Sequence, residues 1–341
     1  GFYWPIVSAW DHETAAPLHE LDASFNSTVK HVQTETVMGA VTARYAVEMA
    51  KVVAGDEATL LERPPLSSLI CTIAPLGQDP DGIESALVFA EAGLPVGFMS
   101  MANIASTAPA TTAGMIAVAD AEMVSAMVLI QMAFPGAPTY HSMMPGIMHP
   151  RTGDYLGASS LTYAVGVELA HMWGVPTLAG TFGGDAAEPG WEYGALNGEG
   201  ALLCALCGAE TGSGMGLLKG STVLYPEALV LDSDIYYHIR QDLAGLDLSP
   251  DELALDVVKA VGPRGHFLFQ SHTRDHFRQQ WFSDLTAQPL KGYDDRDPLE
   301  VAREKTEWIL ENHHPQPLSE AQQAELQHIL RAAEAELERE A

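Results

Sequence analysis

Leu94-Pro95-Val96-Gly97-Phe98-Met99, then residues 109–134, then Pro138-Thr139-Tyr140-His141-Ser142 form the passage whose reading decides the fold. The first and third stretches are short apolar runs of strand length. The long middle stretch opens on Pro109, which suits a first helical turn, and stops before Gly136, which suits a helix end. Met115, Val118, Met123, Met127 and Ile130 recur at helical spacing, so the middle stretch reads as an amphipathic helix. A methionine stripe of this kind is core material before it is a cofactor contact. Strand, helix and strand with no hairpin signal between them imply a right-handed crossover and parallel strands.

The same alternation extends in both directions. Before the passage, residues 2–8, 29–33 and 66–72 read as strands. Helices over 13–25, 37–54 and 82–92 separate them, with Gly55 and Gly93 as stops. After it, residues 156–173 read as helix, 176–181 as strand six, 191–207 as helix and 209–216 as strand seven. Residues 226–244 and 250–261 read as helices, and 265–271 as strand eight. Eight β-then-α units predict an α/β fold, a (β/α)8 TIM barrel over residues 1–283. The alternative is an open doubly wound sheet, which would ordinarily carry a phosphate fingerprint after strand one; none is there. Residues 284–298 are polar and rich in Asp and Pro, the composition of a linker. Residues 299–311 and 319–340 read as charged amphipathic helices, an appendage over 284–341 expected to pack on the barrel or on a partner subunit. Ser319 followed by Gln322 has the spacing of a capping box.

The 341 residues are 47% apolar and 18% charged, a globular mix large enough for a sizeable core. The net charge of −28 disfavours nucleic acid and an anionic membrane surface as partners. A cationic ligand fits that sign, and so does a role for the charge in solubility alone. Cys71, Cys204 and Cys207 are too few for a disulfide scaffold and suit a reducing, cytoplasmic setting. The spacing of Cys204 and Cys207 is C-x-x-C, but no second pair accompanies it, so two small buried thiols are the simpler reading. No basic-then-apolar leader is visible, and no uninterrupted apolar stretch reads as long enough for a bilayer. The chain begins at Gly1 rather than Met, so a trimmed amino terminus is expected.

Barrel enzymes build their sites at the carboxyl ends of the strands. Applied to the strands above, that rule nominates His31, Glu35, Tyr140, His141, Phe182, Asp185, Trp191, Tyr193, Glu210 and His272 as ligand contacts, and no catalytic residue stands out among them. There is no H-x-H after strand one, no G-x-S-x-G, no H-E-x-x-H and no Walker loop. Gly212-Ser213-Gly214-Met215-Gly216 lacks dinucleotide spacing and reads as tight strand-end packing. His272 and His276 are four apart, so on a helix they would share a face. With no third ligand in view, His272 reads as a hydrogen-bonding group at the mouth and His276 as a packing or capping residue, and no metal is expected. Asp185 follows Gly180-Thr181-Phe182-Gly183-Gly184. It could face a cationic ammonium or simply make an Asx turn. Tyr140, Phe182, Trp191 and Tyr193 are aromatics near the same expected face, and aromatic faces hold quaternary ammonium groups.

A resemblance runs along nearly the whole chain. Asn26-Ser27-Thr28-Val29-Lys30-His31-Val32, Pro75-Leu76, and Glu84 through Gly93-Leu94-Pro95-Val96 carry its first part. Its most specific part is Thr107-Ala108-Pro109-Ala110-Thr111-Thr112-Ala113-Gly114 with Ala121-Glu122 and Gln131 through Phe134-Pro135-Gly136-Ala137-Pro138. Gly265-His266-Phe267-Leu268, His272-Thr273, His276-Phe277-Arg278, Ala302-Arg303-Glu304-Lys305 and His314-Pro315 complete it. The order of these segments resembles the corrinoid-dependent trimethylamine methyltransferase (MttB) family, in its branch without pyrrolysine. The resemblance implies a (β/α)8 barrel. It also implies transfer of a methyl group from a tertiary or quaternary amine, such as glycine betaine, to the cobalt of a separate, cognate corrinoid protein. No cofactor would then be bound by this chain itself. Where the family's loop after strand six has Asp followed by Ala-Lys, this chain has Asp185-Ala186-Ala187. Two other readings remain open: a metal-assisted barrel lyase or hydrolase using His141, His272 and His276, and a non-catalytic quaternary-amine binding protein. The C-terminal helices also make a homo-oligomer an expectation.

Overall fold

A computed structural model describes residues 2–3, 8–283, 285, 296–315 and 318–340. In chain order the strands are β1 (Phe2–Tyr3), β2 (His31–Thr34), β3 (Leu66–Cys71), β4 (Val96–Ser100), β5 (Asn103–Ile104), β6 (Thr139–Met143), β7 (Gly146–Met148), β8 (Tyr155–Gly157), β9 (Leu178–Gly180), β10 (Thr211–Ser213), β11 (Leu217–Leu218) and β12 (Val223–Leu224). The helices are α1 (Ala16–Ser27), α2 (Ala40–Ala54), α3 (Glu57–Glu62), α4 (Pro80–Glu91), α5 (Thr112–Ala133), α6 (Ser160–Trp173), α7 (Trp191–Leu206), α8 (Pro226–Leu243), α9 (Pro250–Leu253), α10 (Leu255–Val261), α11 (Ser271–His276), α12 (Pro298–Asn312) and α13 (Glu320–Glu340).

The main sheet is parallel in the order β1-β2-β3-β4-β6. A parallel pair, β9-β10, adjoins it through the bridge between His141 and Thr177 and the bond from His141 N–H to the Pro176 carbonyl, 2.9 Å. Each strand therefore lies beside its predecessor in sequence, without the reversal of order that marks a doubly wound sheet.

The two faces of this sheet differ. Val32, Leu66, Ile70, Val96, Phe98 and Met143 pack outward against α1, α2, α4, α5 and α13 in one hydrophobic cluster. The opposite face has a cluster built only from strand and strand-end residues: Leu69, Met99 and Leu178, with Tyr140 and Met144. For side chains from β3 and β9 to share that cluster, the sheet must curve inward. Gly97 makes room there, because a Cβ on it would lie 2.1 Å from the Tyr140 ring.

Several elements depart from the sequence reading. Residues 265–271 are turn and loop leading into α11, so the expected eighth strand is absent among the described residues. Positive φ at Gly262 and Arg264 bends the chain there. Phe267, Leu268 and Phe269 form too short an apolar run to specify a strand by itself. Hairpins were not expected, but β7 pairs antiparallel with β8 and β11 with β12. The helix expected over 156–173 is interrupted: residues 155–157 are strand and the helix begins at Ser160. The helix α5 is 22 residues long with mean hydropathy 1.8, long and apolar enough to cross a membrane, contrary to the expectation that no such stretch exists. Here Met115, Ala119, Met123, Ala126 and Ile130 are buried in the same cluster as the outward side chains of the sheet.

The helix α13 lies against α2 and α1, and α12 lies against α8. Leu326, Ile329, Leu330 and Ala333 of α13 join the main core. Most of the expected linker over 284–298 lies outside the described residues.

Candidate active site

The carboxyl ends of β6 and β9 bring a carboxylate and two phenols together. Asp185 stands in the loop after β9 and accepts the Gly157 N–H with both oxygens, at 3.3 and 3.0 Å. Gly157 lies between two groups: a Cβ there would be 3.5 Å from the Tyr163 hydroxyl and 3.6 Å from Asp185 Oδ2. Tyr155 donates its hydroxyl to the Met144 carbonyl, 3.0 Å. Its ring fills the space above Gly146, where a Cβ would come within 2.0 Å of it. Gly180 does the same for its neighbours, since a Cβ would meet Met144 Sδ at 2.4 Å and the Tyr163 ring at 2.9 Å. Three glycines thus let two aromatic rings and a thioether crowd around one carboxylate.

The electrostatics follow from burial. Desolvation raises the Tyr163 phenol to about 12, with the Asp185 charge adding to the shift, and Tyr155 is raised by the same two causes together with Tyr163. Both phenols are therefore neutral at physiological pH, close enough to the carboxylate for its charge to act on them. No Lys, Arg or His forms an ion pair with Asp185 among the described residues.

The other nominated residues are scattered. Glu35 does lie at the carboxyl end of β2, half-buried, and burial followed by the Glu20 charge holds its pKa above the usual range. Phe182 follows Gly180 at the end of β9 and donates its N–H to the Ser213 carbonyl. His31 instead opens β2 at the amino end of the sheet. Its Nδ1 donates to the Pro64 carbonyl at 2.7 Å and its Nε2 meets Ser67 Oγ, and burial lowers its pKa. Tyr140 faces the inside of the curve but deep below the mouth, bonded to Gln33 and the Ser68 carbonyl. His141, next along the strand, points to the helix side and meets Asp120 of α5 at 3.2 Å. Glu210 precedes β10, where it holds the Thr177 N–H and His171. Tyr193 is buried against α8, bonded to Asp232, and Trp191 is almost fully exposed at the start of α7. His272 lies on α11, bonded to the Asp251 carbonyl. The inward or outward parity of a strand residue, and its height along the strand, cannot be read without the register; that is why the nominated residues are not brought together in one place.

Tyr155 and Tyr163 were missed. A visible signal existed: Ser159-Ser160 is a helix-start pattern, which would have ended the preceding segment at Gly157. An open groove of about 1190 Å3 lies beside Tyr45, Leu61 and Pro138, before the strands begin. That is the end of a parallel sheet where ligands are not ordinarily held.

Parallel strands in sequential order, helices on the outer face and a polar cluster at the strand ends define an α/β enzyme scaffold. The chain matches the trimethylamine methyltransferase (MTTB) family over residues 4–337. It is 31% identical to trimethylamine methyltransferase MttB of Desulfitobacterium hafniense (strain DSM 10664 / DCB-2), over 97% of this chain and 68% of that protein. It is 28% identical to trimethylamine methyltransferase MttB of Methanosarcina barkeri, over 92% of this chain and 65% of that protein. It is 27% identical to glycine betaine methyltransferase of D. hafniense (strain Y51), over 83% of this chain and 60% of that protein. The chain therefore belongs to the trimethylamine methyltransferase family, and it spans about two thirds of the length of these relatives.

Proposed function

We propose that this chain is an amine methyltransferase that removes a methyl group from a quaternary or tertiary methylamine, betaine-like in character. The methyl would pass to the cobalt of a corrinoid carried by a cognate partner protein. The observation that carries this reading is Asp185 held by Gly157 with Tyr155 and Tyr163 within reach of its charge, at the strand ends of a chain whose relatives are named for methylated amines. The seven sequential parallel strands, with helices on one face only, support a (β/α)8 barrel as the parent architecture.

The residues fit the task. Asp185 balances the ammonium charge, and the neutral phenol rings offer their faces to its methyl groups. Holding the cation by these groups fixes which methyl points out of the mouth. Ile73, Leu76, Met101 and Ile147 are exposed around that mouth, an apolar rim suited to receiving a flat macrocycle from a partner. A reduced corrinoid carried by the partner would supply the nucleophile. The carbon–nitrogen bond breaks with its electron pair staying on nitrogen, so a quaternary substrate leaves as a neutral tertiary amine and needs no proton. That neutral product loses its attraction to Asp185 and to the ring faces, which favours its release. The rival metal-assisted reading needs His141, His272 and His276 together, and His141 is engaged with Asp120 on the helix side.

The test is methyl transfer to reduced cobalamin from a panel of betaines and tertiary amines, followed in the cobalt absorption spectrum. Transfer from at least one is expected. Asp185→Asn should raise KM about tenfold to a hundredfold, with a smaller effect on kcat. No spectral change with any amine would overturn the proposal.

A further inference from the structure

The histidine pair that lacked a third ligand in the sequence acquires one in three dimensions. His272 and His276 share a face of α11, their rings stacked with centroids 4.1 Å apart. Asp251 of α9 faces both, and ligand atoms from the three residues all lie within 4.8 Å of one another. Glu252 stands beside His276, with Oε1 3.8 Å from its Nε2.

The hydrogen bonding fixes which nitrogen is available. His276 Nδ1 lies 2.9 Å from the His272 carbonyl, which can only accept, so Nδ1 carries the hydrogen. Nε2 then faces Asp251 Oδ2 at 3.4 Å. This is longer than an ordinary N–H···O bond. Nε2 facing two carboxylates calls for a positive charge between them, either a proton on the ring or a metal ion in its place. Two ligands of a tetrahedral ion, each about 2.0–2.1 Å from it, stand about 3.3 Å apart, which matches the separation seen. An imidazole whose other nitrogen donates to a backbone carbonyl is also the usual orienting arrangement for a metal-bound histidine.

We infer that His272, His276 and Asp251, with Glu252 as the fourth donor, form a binding site for one divalent ion of the zinc class. Two imidazoles and two carboxylates suit a borderline ion rather than calcium or magnesium. His272 releases the Asp251 carbonyl when it turns Nε2 to the ion. The site would tie α9 to α11. Neither of these helices nor α10 between them contains a buried residue, so a bound ion supplies stability that packing does not. His141 takes no part, since it is engaged with Asp120, so this is a structural site and not the three-histidine centre of the metal-dependent rival.

The experiment titrates zinc, and cobalt(II) as a visible probe, into the full chain after chelator treatment. One equivalent should bind through α11, with the strong absorption of four-coordinate cobalt. His272→Ala and His276→Ala should each weaken that event by at least ~100-fold. Asp251→Asn, at an exposed position that leaves the packing intact, should weaken it as well. His12→Ala, which breaks the separate group of His12, His19 and Glu334, should leave it unchanged. Zinc should also slow tryptic cleavage at Arg264 and Arg274 in the unaltered chain. Absence of stoichiometric binding, a weak six-coordinate cobalt spectrum, or binding indifferent to both histidine variants would overturn the inference.

Discussion

Glu35 shows how a single side chain carries a pH signature. It is half-buried beside Glu20, and burial first, then that neighbouring charge, raises its pKa. A carboxyl raised in the folded state binds protons more tightly there than in the unfolded chain. Its favourable contribution is complete below the usual carboxylate range and disappears as pH rises through the folded value. Glu35→Gln removes that dependence. The variant should melt higher than the unaltered chain at pH 7, and the gap should close as pH falls towards 4. Parallel melting curves would show that Glu35 is not strained. At this scale the sequence was partly legible. Asp185 stood out because a Gly-rich loop carried it, and it does reach the strand ends. Tyr163 was hidden inside the helix expected over 156–173, and Tyr155 fell just before that helix, where no strand was expected. Glu210 and His31 were placed at the wrong end, since nothing in a short strand's composition tells top from bottom.

Among the elements, α5 does more than cover the sheet. Its Glu122 is buried and accepts the Leu76 N–H at 2.8 Å with one oxygen. The other oxygen accepts the hydroxyls of Thr72 and Ser100, each at 2.7 Å. One carboxylate thus ties the ends of β3 and β4 and the loop after β3 to the helix. Glu122→Ala would leave the buried Ser100 hydroxyl without that acceptor and free the loop. We expect a loss of about 2–4 kcal/mol in urea unfolding; a loss under about 1 kcal/mol would mean the loop is held by other contacts. The strands and helices were legible wherever periodicity was long, as in α2, α4 and α5. They were illegible where a few apolar residues stood between turns. Residues 265–271 failed for that reason, and the β7–β8 hairpin was overlooked although Pro150 and Gly153 mark its turn.

For the whole molecule, the last helix closes the core laid down by the first half of the chain. Leu326, Ile329 and Leu330 of α13 lie in the main cluster, and Arg44 and Tyr45 of α2 both bond Glu336. Each buried aliphatic side chain is worth about 1.5–3 kcal/mol, so together they rival the stability of a typical domain. Removing residues 319–341 should abolish cooperative unfolding and speed amide exchange in α2. Exchange in α2 unchanged by the deletion would show the helix to be dispensable. The overall order of strands was legible because each βα unit repeats the same pattern; the expected closure is not seen among the described residues, where β1 pairs only with β2 and β10 only with β9. The separation of faces also bears on how such a chain can change. Along β3, Leu66 and Ile70 serve the outer packing while Leu69 looks inward, and along β4 Val96 and Phe98 alternate in the same way with Met99. Evolution, or a protein engineer, can therefore revise the lining at every second residue and leave the scaffold's adhesion to its helices untouched, so ligand preference and foldability are free to drift apart.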